Sequence, residues 1–491
     1  MIAWIPDLLY LNRRFKSGIA LVCDEAGTIV KVARVDELRD EKRINLPRRV
    51  MLPGMVNAHS HAFQRVIRGK TEYRTSERDC FWTWREMMYS AATRLTPEDI
   101  YDASRMAFLE MALSGITAVG EFHYLHHTPD GKPYDDPNLL AKEVIRAAGD
   151  VGLRIALLRV AYARSGFQAE ANPKQERFIE DDPQIYLKNL ESLTRELNHA
   201  GEGNSANLAL PYGRASDTAW IGVAPHSIRA VPLPYLREVV AYANEHDLKV
   251  HMHVAEQPAE VSACIEEHGR TPVALLETEG LLSERFTAVH AIHVTPKAIP
   301  SFAKTGAMVC ACPTTERNLG DGVVPADEYL KNGVAICLGT DSHTQIDLLE
   351  DARELEYHLR LQKLARAVLS VGSPSVSEGQ VRDQALPHGR ASDTAALLFD
   401  SATSNGARSI GAPNGSLEVG KPADFFAVDL DDASIVGAST DDLLPAIVFS
   451  SSRAAVREVV VGGKPIVSEG RHLIQEEVVE RFSELQKRMW S

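Results

Sequence analysis

The chain has 491 residues, 44% hydrophobic and 24% charged, a composition of folded globular proteins rather than disordered ones. Its 53 basic against 67 acidic side chains leave a net charge of −14 with no long basic run, which argues against nucleic acid as a partner and means that any anionic substrate must meet locally placed arginines. There is no run of about 18 apolar residues and no basic-then-apolar leader, and Cys23, Cys80, Cys264, Cys310, Cys312 and Cys337 follow no disulfide or zinc spacing; the expectation is a cytoplasmic protein with reduced thiols and no membrane partner.

Up to about residue 52, apolar runs such as Ile19-Ala20-Leu21-Val22 alternate with turn residues, the texture of a small β module. After the Pro53-Gly54 break comes Asn57-Ala58-His59-Ser60-His61-Ala62-Phe63-Gln64-Arg65, read as a short strand whose end carries two histidines. Side chains two apart on a strand share a face, so His59 and His61 point together. Thr96 is placed to cap a helix with Pro97 at its first position and a stop at Gly115, followed at once by a strand over 117–122. Helices at 139–148, 233–246 and 296–305 then lead into strands at 154–160, 249–253 and 307–311, and a last strand is expected at 334–341. Strand–helix units of this length predict a (β/α)8 barrel, whose reactive residues sit at the C-terminal strand ends. β texture returns in Ala423–Asp429 and Val456–Val467, so the fold expected is this TIM-like barrel with a small β-sandwich domain formed from both termini. The divisions are 1–52 and 411–475 for the sandwich, 53–410 for the barrel and 476–491 for a C-terminal helix or tail.

Leu210-Pro211-Tyr212-Gly213-Arg214-Ala215-Ser216-Asp217-Thr218-Ala219 recurs at 386–395 with His388 as the one difference. Neither copy has strong periodicity, and both are read as surface-loop insertions without a catalytic role.

Four side chains at strand ends form a metal-site hypothesis: His59, His61, His253 and Asp341. Three imidazoles and a carboxylate suit Zn²⁺ with a place left for water, whose pKa such an ion lowers towards about 7. Each alone is more often structural; the signal is their joint placement. Glu256, three residues after His253, is a candidate proton carrier, and His290 a candidate to steer the water or stabilise charge. His251 and His293 are read as supporting histidines.

These motifs resemble the amidohydrolase superfamily, in its metal-dependent aminohydrolase branch. The segments 59–65, Phe81-Trp82-Thr83-Trp84-Arg85-Glu86-Met87-Met88-Tyr89, Glu121-Phe122-His123-Tyr124, His226-Ser227-Ile228-Arg229-Ala230-Val231 and Thr315-Glu316-Arg317-Asn318-Leu319-Gly320-Asp321-Gly322 are similar to the formimidoylglutamate deiminase family in particular. That resemblance implies one zinc ion on His59, His61, His253 and Asp341, and hydrolysis of N-formimidoyl-L-glutamate to N-formyl-L-glutamate and ammonia, a step of histidine degradation. It also implies Glu256, His290 and Asp341 as catalytic groups, Gln64, Arg85, Tyr124, His226 and Arg229 as substrate contacts, and a homodimer. Ile228, where the family pattern has Leu, and the two insertions depart from it. Arg85 and Arg229 are the candidates to hold the substrate's two carboxylates; for Arg85 the competing role is stacking in a Trp-rich segment. The alternatives are a deaminase of a cyclic amidine or nucleobase on the same scaffold, and a scaffold without catalysis.

Overall fold

The computed structural model describes residues 1–73, 81–167, 169–170, 172–201, 218–369 and 391–491. Most of the repeated ten-residue segment, at 210–217 and 386–390, and Cys80 lie outside the described residues. The other five cysteines are free and buried.

Seventeen described strands fall into two sheets. The first comprises β1 (Ile2–Leu11), β2 (Arg14–Lys16), β3 (Ile19–Cys23), β4 (Ile29–Arg34), β5 (Lys42–Pro53), β14 (Phe425–Asp429), β15 (Val456–Val461), β16 (Lys464–Ser468) and β17 (Arg471–His472). The second comprises β6 (Met55–Ser60), β7 (Ile116–His123), β8 (Arg154–Ala161), β9 (Ala219–Pro225), β10 (Val250–Val254), β11 (Phe286–His290), β12 (Met308–Ala311) and β13 (Ile336–Leu338).

The second sheet is the barrel: its strands are parallel, pair in chain order and are buried along almost their whole length, as strands covered on both faces must be. Its helices start and stop where local chemistry dictates. The Thr96 hydroxyl accepts from the Asp99 N–H at 3.2 Å while the Asp99 carboxylate accepts from the Thr96 N–H at 2.9 Å, which opens the helix Pro97–Leu113. Gly115, at φ 87°, ends it and turns the chain straight into β7. The helices Leu139–Val151, Leu233–Glu245 and Ile299–Thr305 precede β8, β10 and β12 as expected.

The last strand is shorter than the span 334–341 expected for it. β13 ends at Leu338, because Gly339-Thr340-Asp341 leave it to meet β6. The Asp341 N–H donates to the His59 carbonyl at 3.0 Å, the His61 N–H donates to the Asp341 carbonyl at 3.1 Å, and a parallel bridge joins Ser60 to Asp341. The Asn57 side chain doubles this seam, accepting from the Thr340 N–H at 3.0 Å and donating to its hydroxyl at 2.7 Å.

Both termini build the other sheet, in the order β17-β16-β15-β14-β5-β1-β3-β4 with β2 on β1. β5 and β14 pair antiparallel from Pro53↔Phe425 to Arg49↔Asp429, and β5 then runs through Pro53-Gly54 into β6. Trp4, Leu21, Met51, Phe425 and Val460 share its apolar interior, where the Trp4 and Phe425 rings meet edge-on at 5.1 Å. A buried ion pair, Arg154 Nε to Asp424 Oδ2 at 2.7 Å, ties the start of β8 to this sheet. No helix among the described residues is long and apolar enough to cross a membrane.

Gly339 carries the seam past His59, and a Cβ there would stand 2.7 Å from His59 Cβ and 2.9 Å from its carbonyl oxygen. Gly339→Ala is therefore expected to destabilise the fold by about 1–3 kcal/mol and to lower the divalent-metal content of the purified protein. Thermal unfolding and metal analysis beside the parent chain measure both.

Candidate active site

The C-terminal strand ends converge. His59 Nε2 stands 3.2 Å from His61 Nε2 and 3.2 Å from His253 Nε2, while Asp341 Oδ1 lies 3.5 Å from His59 Nε2 and 3.3 Å from His61 Nε2. His61 Nδ1 donates to the Phe122 carbonyl at 2.9 Å and His253 Nδ1 to the His226 carbonyl at 3.0 Å. Each ring proton is thereby fixed on Nδ1, and both Nε2 lone pairs turn inward. Burial lowers the pKa of His59, His61 and His253, so the rings are neutral. Neutral nitrogens facing each other at this spacing repel unless a cation lies among them. Tetrahedral ligands about 2.0–2.1 Å from a zinc ion stand roughly 3.3 Å apart, so the donor set fits such an ion.

A buried polar layer holds the cluster. Ser60 Oγ donates to Glu121 at 2.5 Å and lies 3.0 Å from His343 Nε2, and the other Glu121 oxygen accepts from the Ala62 N–H at 2.7 Å. Burial pushes Glu121 up to about 8, against the lowering effect of those hydrogen bonds.

Beside the cluster lie the proton-handling candidates. Glu256 follows β10 after Ala255, which sits at φ 52°; the Glu260 carboxylate braces that turn by accepting from the Ala255 and Glu256 N–H groups at 3.2 and 3.3 Å. Burial raises the pKa of Glu256, which His290 partly offsets and Asp341 reinforces. His290 Nε2 is 3.6 Å from Glu256 and 3.7 Å from Asp341, and its Nδ1 is 3.3 Å from Glu316. Burial would lower its pKa, but the Glu256 and Asp341 charges and the Glu316 hydrogen bond push it up to about 10.

Gln64 Nε2 donates to the Tyr124 hydroxyl at 2.8 Å, and His226 faces His253 with ring centroids 4.9 Å apart. Arg229 is buried, and its Nε and Nη1 have no partner; the same holds for Arg85 Nε. No carboxylate among the described residues pairs with either guanidinium. Both lie over the Trp82 ring, Arg85 at 4.4 Å and Arg229 at 5.7 Å, so stacking holds Arg85 without occupying its donors. His61, Gln64, Arg85, Tyr124, His226, Arg229, His253, Glu256, His290 and Asp341 line one cavity of about 500 Å³, partly open to solvent, and His59 is fully buried behind it. His251 bonds the Ser409 carbonyl and His293 the Asp321 carbonyl, in supporting roles.

Sequence reasoning passed over Glu316, Glu260, Tyr89 and Tyr162. Glu316 and Tyr89 stood inside quoted motifs with nothing to single them out. Glu260 had a usable signal, since a glutamate two residues after a first-turn proline suits a helix N-terminus.

The family model described as the amidohydrolase family matches residues 50–466. A formimidoylglutamate deiminase of Pseudomonas aeruginosa is 37% identical over 433 residues, 88% of each chain. A 5-methylthioadenosine/S-adenosylhomocysteine deaminase of Haloarcula marismortui is 26% identical over 94% of this chain and 90% of its own. Among solved structures, an amidohydrolase from Brucella melitensis superposes with a TM-score of 0.85 at 33% identity, covering 100% of both chains. An adenosine deaminase of Xanthomonas campestris with bound zinc, at 21% identity and a TM-score of 0.78 over 99% of this chain and 98% of its own, shares the fold.

The purified protein is expected to carry about one divalent ion per chain, and His61→Ala or His253→Ala to lose it. Stripping the ion with a chelator should lower the unfolding midpoint, and restoring zinc should raise it again. Elemental analysis and a thermal scan read the two effects.

Proposed function

Because the chain belongs to the amidohydrolase family, we propose that it is a metal-dependent deiminase that hydrolyses N-formimidoyl-L-glutamate to N-formyl-L-glutamate and ammonia. The observation that carries the substrate is the pair of arginines: a buried Arg229 and a half-buried Arg85, neither ion-paired with a carboxylate among the described residues, open on the same cavity as the histidine cluster and Glu256. Burial disfavours both charges, Glu260 offsets this at Arg229 from beyond ion-pair distance, and a ligand carboxylate would pair with either guanidinium. A molecule with carboxylates at one end and an amidine-like carbon at the other spans both halves. An uncharged nucleobase would leave both cations as they are.

His59, His61, His253 and Asp341 would hold the ion, which when bound supplies a Lewis acid and a water of lowered pKa. Asp341 is placed to take the water's proton as its oxygen adds to the formimidoyl carbon, while His290, 3.7 Å away and held protonated by the carboxylates around it, stabilises the charge that develops there. Glu256, whose burial favours the protonated carboxyl, delivers a proton to the imino nitrogen. The proton taken from the water then passes from Asp341 to the same nitrogen, the hydroxyl proton of the tetrahedral intermediate returns to Glu256, the bond from carbon to that nitrogen breaks, ammonia leaves and the formyl carbonyl remains. Glu316 keeps the His290 ring from rotating by engaging its far nitrogen. The free buried thiols fit a reducing cytoplasm, where we place the enzyme.

Ammonia release measured on N-formimidoyl-L-glutamate, N-formimidoyl-L-aspartate, guanine, adenosine and 5-methylthioadenosine tests the assignment. The first is expected to be turned over far faster than the rest; turnover of a purine with none on N-formimidoyl-L-glutamate refutes it. Glu256→Gln should cut kcat by about 10²–10⁴. Arg229→Met should act mainly on kcat/KM, by about tenfold or more.

A further inference from the structure

Two phenols on the cavity wall play no part in the mechanism above. Tyr89, on the helix Phe81–Ala92, and Tyr162, just past β8, both line the cavity. Behind them the buried Gln175, in the single turn Pro173–Gln175, donates through Nε2 to Tyr89 Oη at 2.8 Å and to Tyr162 Oη at 2.5 Å. An amide nitrogen has two hydrogens and accepts nothing, so both bonds consume phenol lone pairs and leave both hydroxyl protons unused. The two hydroxyls share at most one hydrogen bond between themselves. At least one O–H must therefore find an acceptor elsewhere, and no described residue supplies it. Burial holds the Tyr89 pKa well above its usual value, so the group stays a donor.

The Arg85 guanidinium lies 5.4 Å from the Tyr89 ring, Arg85 and Arg229 both have unpartnered N–H groups, and neither is ion-paired with a carboxylate among the described residues. This corner of the cavity brings together cationic N–H and neutral O–H hydrogens. Such a set matches a carboxylate, which presents about four lone-pair sites on two oxygens.

We propose that Tyr89 and Tyr162, oriented by Gln175, join Arg85 and Arg229 as the seat for one substrate carboxylate and set the preference for a substrate that carries it. The inference rests on the function proposed above and names the residues that read the substrate's charge. Tyr89 and Tyr162 are the specificity residues; Gln175 is a positioning residue that acts through them. A site built to donate to a carboxylate discriminates steeply against an analogue that lacks it, because its donors are then left unmet.

The test compares metal-loaded parent enzyme with Tyr89→Phe, Tyr162→Phe, the double variant and Gln175→Glu. Ammonia release is measured on N-formimidoyl-L-glutamate, on N-formimidoyl-L-2-aminobutyrate, which lacks the side-chain carboxylate, and on N-formimidoyl-4-aminobutyrate, which lacks the α-carboxylate. Each single Phe variant is expected to keep its metal content and kcat while kcat/KM on the dicarboxylate falls about tenfold, and about a hundredfold in the double variant. On one of the truncated substrates, the one lacking the carboxylate held here, the same changes should be nearly without effect. Gln175→Glu accepts both hydroxyl protons and turns lone pairs to the cavity, so its kcat/KM should fall at least as far as that of the double variant. Undiminished kcat/KM on the dicarboxylate, or equal losses on all three substrates, overturns the proposal, and full activity in Gln175→Glu overturns the orienting role. Failure of the underlying function looks different: the parent enzyme itself then releases no ammonia from the dicarboxylate, which removes both readings before any variant is compared.

Discussion

The pair of backbone hydrogen bonds between Asp341 and β6 holds the structure and the site together. Asp341 donates to the His59 carbonyl and accepts from the His61 N–H, so the residue that closes the barrel is clamped by the two histidines with which it shares a ligand set. The side chains reinforcing this seam, Asn57 and Thr340, are 283 positions apart, and the entropy of closing so long a loop is met only when the whole barrel is in place. The ligand set and the closed barrel therefore form together. Gly339 shows how tight the closure is, since even a methyl group there meets the backbone of His59.

Charge is sorted across the cavity. On one side stand Asp341, Glu256 and Glu316, crowded around His290 and next to three neutral imidazoles. On the other stand Arg85 and Arg229 with the phenols of Tyr89 and Tyr162, all donors. The acidic side is balanced by His290 and would be balanced further by a divalent ion on the histidine cluster; among the described residues no carboxylate forms an ion pair with the basic side. A ligand with an electron-poor carbon at one end and carboxylate at the other enters such a field in one orientation only. Orientation is thus obtained electrostatically, against a chain whose net charge of −14 repels anions at a distance.

Much of this was legible in the residue order. The His59–His61 spacing, the apolar runs before His253 and Asp341, and the cap-and-stop signals at Thr96 and Gly115 are local patterns, and local patterns survive in a linear string. The end of β13 was not legible: the strand was expected to reach Asp341, but the pull of β6 takes Gly339-Thr340-Asp341 out of it. Nor was the grip of Glu316 on His290, or of Gln175 on Tyr89 and Tyr162, because glutamates, glutamines and tyrosines are common and those contacts join segments distant in the chain. Arg229 lay between: a carboxylate substrate called for an arginine, but its burial without a partner belongs to the folded state alone.

The pairing of β5 with β14 also sets an order of events during synthesis. β5 leaves the ribosome early, flanked on one side by β1, while its other neighbour is encoded some 370 residues later. At roughly 5–20 residues per second that strand waits about 20–75 s for its partner. Throughout that interval an open strand edge is presented by the nascent chain. The barrel strands are synthesised entirely within the same interval, so every residue of the cavity and its histidine cluster has been added to the chain before β14 is there to seal the terminal sheet over Trp4 and Phe425.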